Sequence, residues 1–151
     1  MTGEETKSVL CIVGGSLRYA FEFSCVEEIC RDIELSQMPC LPEYIAGVCN
    51  YKGNVVPVLY MEGRPGSQTE GDVKQIVLIL RYQRTLVGIL MHREPYLEEL
   101  AAHHRIGGPG KQDTGRQDTG LWTEEAYYVK NGDMYALIDV EKTLESLIAG
   151  G

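Results

Sequence analysis

Along the chain, apolar residues fall in short runs of strand length, and nearly every run is closed by Gly, Pro or Asn. Residues 9–13 are continuously apolar. Gly14, Gly15 and Ser16 follow, and then Tyr19, Phe21 and Phe23 occupy alternate positions, a pattern that predicts a hairpin. Residues 45–51 and 54–60 flank Lys52 and Gly53, which predicts a second hairpin with Gly53 supplying the positive φ of a tight turn. Pro57 cannot donate to a ladder, so the strand that contains it is expected at a sheet edge or a bulge. Residues 75–80 and 85–91 are two further strands joined across 81–84, and Asn131-Gly132 marks a hairpin between 129 and 134.

Helical periodicity is confined to the end of the chain. Asp139 is a good N-cap, and Val140, Leu144, Leu147 and Ile148 form one apolar stripe before Gly150. A helix of this kind is expected to lie across a barrel and cover its apolar surface. A shorter turn is expected at Pro42, whose fixed φ suits the first position of a helix. The pattern as a whole predicts a mainly β protein.

Two segments break the pattern. Residues 63–72, GRPGSQTEGD, contain no apolar residue and offer a boundary within a single domain spanning 1–151. The expected halves are 14–66 and 73–149, the second also taking the N-terminal strand 8–13. Residues 106–120, IGGPGKQDTGRQDTG, hold five glycines and a tandem pentapeptide, which predicts a flexible loop with no binding role. Two copies are too few to bury a repeat face.

Composition adds exclusions. Fourteen Lys and Arg against 22 Asp and Glu give a formal charge of −8, and neither half of the chain is basic. Nucleic-acid binding and adhesion to anionic lipid both need clustered cations, so partners are expected among proteins or small molecules. With no apolar run near 20 residues and no signal-like start, a soluble cytoplasmic protein without membrane insertion is expected. Cys11, Cys25, Cys30, Cys40 and Cys49 are odd in number and lack a Cys-x-x-Cys pair, and they read as reduced, buried, small hydrophobes.

No catalytic pattern emerges. His92, His103 and His104 show no metal-ligand spacing, the glycine-rich segments lack a phosphate-loop ending, and no spacing selects a Cys/His pair. Catalytic residues, metal and cofactors are therefore expected to be absent. A small thiol enzyme or ligand-binding barrel is the alternative from another class, and a strongly depressed thiol pKa would mark it.

Residues 38–59, MPCLPEYIAGVCNYKGNVVPVL, resemble the central signature of the CheW family of chemotaxis coupling proteins. The matching features fall on Pro42, Ile45, Gly47, Val48, Asn50, Lys52, Gly53, Val56, Pro57 and Val58. Tyr19, Phe21, Val26, Glu28 and Ile29 upstream, and the strands and closing helix downstream, extend the resemblance over residues 9–148. It implies two intertwined five-stranded β-barrels and a non-enzymatic adaptor. The partners implied are the regulatory domain of a CheA-type histidine kinase and the cytoplasmic tip of a chemoreceptor coiled coil. Contacts are expected from Val26, Glu28, Ile29, Val48 and Ile76 in a groove between the barrels, with Asn50, Lys52 and Gly53 at the neighbouring hairpin tip and Gly47 in the signature. An orphan CheW-like scaffold in another kinase pathway is the alternative within this class. Three positions depart from the family pattern: Lys52 replaces Arg, Tyr60-Met61 replaces Asp-Leu, and Met91-His92 replaces Val-Asp. They bear on the choice of partner more than on the fold.

Overall fold

The computed structural model describes residues 5–14, 17–63, 75–108 and 121–150. The chain divides into two compact units, one built from 1–24 and 95–151 and the other from 25–94. It thus enters the first unit, completes the second, and returns.

In the first unit the strands are β1 (Thr6–Val13), β2 (Arg18–Glu22), β8 (Tyr96–Ala101), β9 (Arg105–Gly107), β10 (Glu124–Lys130) and β11 (Asp133–Ile138), in the sheet order β8-β1-β2-β11-β10-β9. The expected first hairpin is present, with Val9 opposite Glu22 and Val13 opposite Arg18. Phe23 lies beyond it in a 3-10 turn, Phe23–Cys25, and is exposed. Alternation along these strands sends Val9, Cys11, Ala20, Leu100, Ala126, Tyr128, Tyr135 and Leu137 into one core cluster. Lys130 on β10 reaches Glu98 and the carbonyl of Glu99 on β8, joining strands far apart in the sheet order.

Helix α1 (Val140–Gly150) also belongs to this unit. Asp139 caps it as expected, its Oδ1 accepting the Lys142 N–H at 2.9 Å. Thr143 is fully buried, and its hydroxyl accepts the Thr123 N–H at 2.9 Å while donating to the Asp139 carbonyl at 2.8 Å. Val140 and Leu144 of the apolar stripe are buried. The Ile148 side chain lies outside the described residues.

The second unit has the strands β3 (Val26–Arg31), β4 (Ile45–Tyr51), β5 (Asn54–Tyr60), β6 (Ile76–Tyr82) and β7 (Thr85–Met91), in the order β3-β6-β7-β5-β4. Cys49, Tyr51, Val56, Val58, Val77 and Ile79 make its core cluster, with Cys30, Ile33, Leu35, Leu86 and Leu90 packed against them. Ser36 pairs with Val48 on the free flank of β4, through N–H to O bonds of 2.8 and 3.0 Å in the two directions. The linker after β3 thereby covers that edge.

Several expectations need correction. Pro57 sits in an interior strand, between β7 and β4, and not at an edge, but one residue from the β4 bulge between Ile45 and Gly47. Val48, opposite Pro57, directs its N–H and carbonyl to Ser36, so the Pro57 nitrogen also points away from β4. The β5–β7 ladder begins one residue later, at Val58 opposite Gly88, and the missing N–H therefore costs no ladder bond. The short turn expected at Pro42 is present, the Pro42 carbonyl accepting the Ile45 N–H at 3.0 Å, but it is a single β-turn and not the start of a helix.

The expected halves also differ from the observed units. β6 and β7 join β3 to β5, whereas β2 pairs in parallel with β11. The segment 63–72 therefore lies within one unit, with 64–72 outside the described residues. Ile106 and Gly107 of the expected 106–120 loop belong to β9, and 109–120 lie outside the described residues. Cys40 is exposed, contrary to the expectation of five buried cysteines; Cys11 and Cys49 are buried, and Cys25 and Cys30 are half-buried.

Candidate functional site

All the expected contact residues fall in the second unit. The hairpin β4–β5 presents them most clearly. Its two-residue turn has Lys52 at φ 52° and Gly53 at φ 86°, the left-handed pair that matches the twist of the flanking strands. Asn50 braces it, the side-chain oxygen accepting the Gly53 N–H at 3.0 Å. Asn50, Lys52 and Gly53 are exposed, and Lys52 shows 69% of its side chain to solvent.

β3 lies at the opposite end of the sheet order from β4, yet its Glu28 reaches the hairpin. The Tyr51 hydroxyl donates to Glu28 Oε1 at 2.6 Å, and the Lys52 ammonium stands 3.7 Å from the same oxygen. Lys52 Nζ also lies 5.4 Å from the centre of the Tyr51 ring. The Tyr51 phenol is pushed up to about 12 by its bond to Glu28 and by burial, so at neutral pH it is a donor. Glu27, next to Glu28, is clasped by Arg81 at 2.7 Å, and this ion pair holds its carboxyl below the usual range. Arg31 and Glu94 pair at 2.6 Å farther along β3.

The other expected residues divide by exposure. Val26, Ile29 and Val48 are half-buried and keep some surface. Gly47 and Ile76 are buried, Ile76 to 1% exposure, so neither offers a face to a partner as expected. Their places have packing reasons. A Cβ at Gly47 would stand 2.9 Å from the Ser36 carbonyl oxygen, and Ile76 lies inside the sheet opposite Met91 and Arg31.

Sequence reasoning passed over two residues here. Tyr51 was absorbed into the apolar strand, although a Tyr beside a turn basic residue is the signal of a ring that can hold it. Val55 is 72% exposed just past the turn, and strict alternation from the inward Val56 places it outward.

The first unit carries a separate exposed feature. Phe23 (53% exposed) and Leu97 (64% exposed) line an open groove of about 530 Å³ together with Ser8, Glu98, Glu99 and Lys130. Three of the five thiols sit where burial opposes nucleophilic chemistry. Burial pushes Cys11 up to about 12 and raises Cys30 and Cys49 as well, the opposite of the activation a thiol enzyme needs.

The chain is a mainly β protein of two small sheets with an exposed hairpin that carries Lys52. The CheW-like domain family model matches residues 7–147, and the chain belongs to that family. It is 29% identical over 94 residues to the chemotaxis protein CheW of Helicobacter pylori, covering 60% of this chain and 57% of that protein. It is 27% identical over 78 residues to the chemotaxis protein CheW of Rhizobium meliloti, covering 51% and 50%. These matches thus span about half the length of each curated relative. The scaffolding protein TtCheW of Thermoanaerobacter tengcongensis shares the fold, with a TM-score of 0.72 at 17% identity over 89% of this chain and 90% of that one.

Proposed function

We propose that the protein is a non-catalytic cytoplasmic adaptor that couples chemoreceptors to a CheA-type histidine kinase. The observation that supports this reading best is the signature hairpin of a CheW-like domain, which carries Lys52 on a braced left-handed turn beside the exposed Val55 and Glu28. A fixed charge next to apolar surface suits recognition of a folded partner, because the turn is ordered before binding and little entropy is lost there. The receptor tip is assigned to this surface, with Val26, Glu28, Ile29, Val48, Asn50, Lys52 and Gly53 as the contributing residues. The kinase regulatory domain is assigned to the groove lined by Phe23 and Leu97. Two surfaces carried by different units are what simultaneous binding requires.

Charge reversal at Lys52 tests the receptor assignment. Lys52→Glu places a carboxylate beside Glu28 and reverses the charge at the proposed contact, and should weaken receptor-tip binding by about tenfold or more. The Lys52–Glu28 pair is exposed on both sides, so its loss should move folding stability by no more than about 1 kcal/mol. Isothermal titration against the receptor tip, with a thermal melt of each variant, reads both quantities. Unchanged affinity with unchanged stability would remove Lys52 from the interface.

A further inference from the structure

The groove of the first unit lies across three strands. β1 stands between β8 and β2; its exposed Ser8 pairs with Glu99 on β8, while Phe23 follows the end of β2. Ser8 is therefore the floor, with Glu99 on one side and Phe23 on the other. Leu97, two residues from Glu99 on the same face of β8, completes the wall. Two strand spacings, about 10 Å, separate Glu99 from Phe23, a span for one long side chain.

The charges of this groove are not balanced. Lys130 gives its ammonium to the Glu98 carboxylate and, at 2.8 Å, to the Glu99 carbonyl, and so leaves the Glu99 carboxylate untouched. Lys7, next to Ser8, is held by Glu22 at 3.2 Å. His104, on the turn after β8, accepts the Ala101 N–H at 2.9 Å. Glu99 is exposed, and its carboxylate has no partner among the described residues. One negative charge is thus left beside two exposed apolar side chains, Phe23 and Leu97. A wholly apolar occupant would cover that carboxylate without a partner, which is costly. A long cation instead lays its stem on the apolar walls and brings its charge to Glu99. Arginine suits this better than lysine, because its guanidinium is less strongly hydrated, lies flat on an aromatic ring and binds a carboxylate through two parallel bonds.

We propose that this groove is an arginine slot: an Arg of the bound protein lies over Ser8, packs on Phe23 and Leu97, and pairs with Glu99. The identity of that protein as the kinase regulatory domain rests on the adaptor reading. Glu99 then selects the partner by charge, and the apolar walls select the length of the side chain that carries it.

Two measurements test the slot, and the first does not need the kinase. Titration of the intact chain with N-acetylarginine amide should shift the amide resonances of Ser8, Phe23, Leu97 and Glu99, whereas the neutral isostere N-acetylcitrulline amide should leave them in place. Glu99→Gln should abolish the response to the arginine probe. In isothermal titration against the kinase regulatory domain, Glu99→Gln should weaken binding about threefold and make it less sensitive to salt, and Glu99→Lys should weaken it about tenfold or more. Glu43→Lys makes the same charge change on the second unit and should bind that domain as the wild type does. Equal responses to the arginine and citrulline probes, or none to either, would overturn the slot. So would wild-type affinity in Glu99→Lys, or an equal loss in Glu43→Lys. Failure of the wild-type chain to bind the kinase domain would instead overturn the adaptor reading, while the amide shifts would still decide whether the groove takes arginine.

Discussion

Gly47→Ala is the substitution whose cost follows most directly from the structure. The added methyl would stand 2.9 Å from the Ser36 carbonyl oxygen, 3.4 Å from Leu35 Cβ and 3.5 Å from Gln37 Nε2. The first of these is backbone and cannot rotate away. Ser36 is tied to Val48 by two hydrogen bonds, and Gln37 donates to the Ala46 carbonyl at 2.9 Å, so relieving the clash moves a segment held by three bonds. Overpacking of this kind costs about 1–3 kcal/mol. Stretching the Ser36–Val48 pair adds about 1 kcal/mol. The expected loss is about 2–4 kcal/mol, and with a urea slope near 2 kcal/mol per molar the midpoint should fall by about 1–2 M. Gly107→Ala is the control, because nothing lies within 4 Å of its Cβ position, and it should stay within about 0.5 kcal/mol of wild type. Urea unfolding followed by far-ultraviolet circular dichroism reads both. If Gly47→Ala unfolds at the same midpoint as Gly107→Ala, the close approach of the 35–37 segment to β4 is wrong.

Alkaline pH should destabilise the protein through Cys11 and Tyr51, both raised to about 12 from ordinary values of 9 and 10. The native state holds these protons more tightly than the unfolded one, so their contribution is complete below about pH 9 and is lost as pH rises toward 12; melts between pH 7 and 12 that show no decline would refute this. Alkylation of the native protein should label the exposed Cys40 first and the buried Cys11 and Cys49 last, as peptide mapping at short times would show; early labelling of Cys11 would contradict its burial. Asp139→Ala removes the cap on the Lys142 N–H and should cost about 1 kcal/mol, or about 3 °C in a thermal melt.

The local devices of this fold were legible in the sequence. Asn131-Gly132 and Lys52-Gly53 sit at left-handed turns, with Asn131 at φ 53° and Gly132 at φ 84°, because a two-residue hairpin needs that backbone and these residues tolerate it. Asp139 was equally readable, since a cap acts within one turn of its helix. What connects distant strands was not. The parallel pairs β2–β11 and β5–β7 decide which strands share a sheet, and nothing in 18–22 or 54–60 alone specifies a parallel partner far along the chain. A boundary drawn at the polar segment 63–72 therefore divided the second unit.

The site was half readable for the same reason. Lys52, Asn50 and Gly53 act through a local turn, and the motif placed them on the surface. Gly47 and Ile76 matched the same pattern of residues but serve packing, which only burial distinguishes from contact. Tyr51 meets Glu28 across the open ends of a five-stranded sheet, a proximity set by curvature rather than by sequence separation.

An adaptor must hold both partners at once, and sedimentation velocity of the intact chain with the receptor tip and the kinase regulatory domain, each alone and then together, tests this most directly. The account predicts two binary complexes and a ternary complex that contains all three proteins, with Lys52→Glu losing the receptor tip and retaining the kinase domain. Mutually exclusive binding of the two partners, or no binding of either, would contradict it.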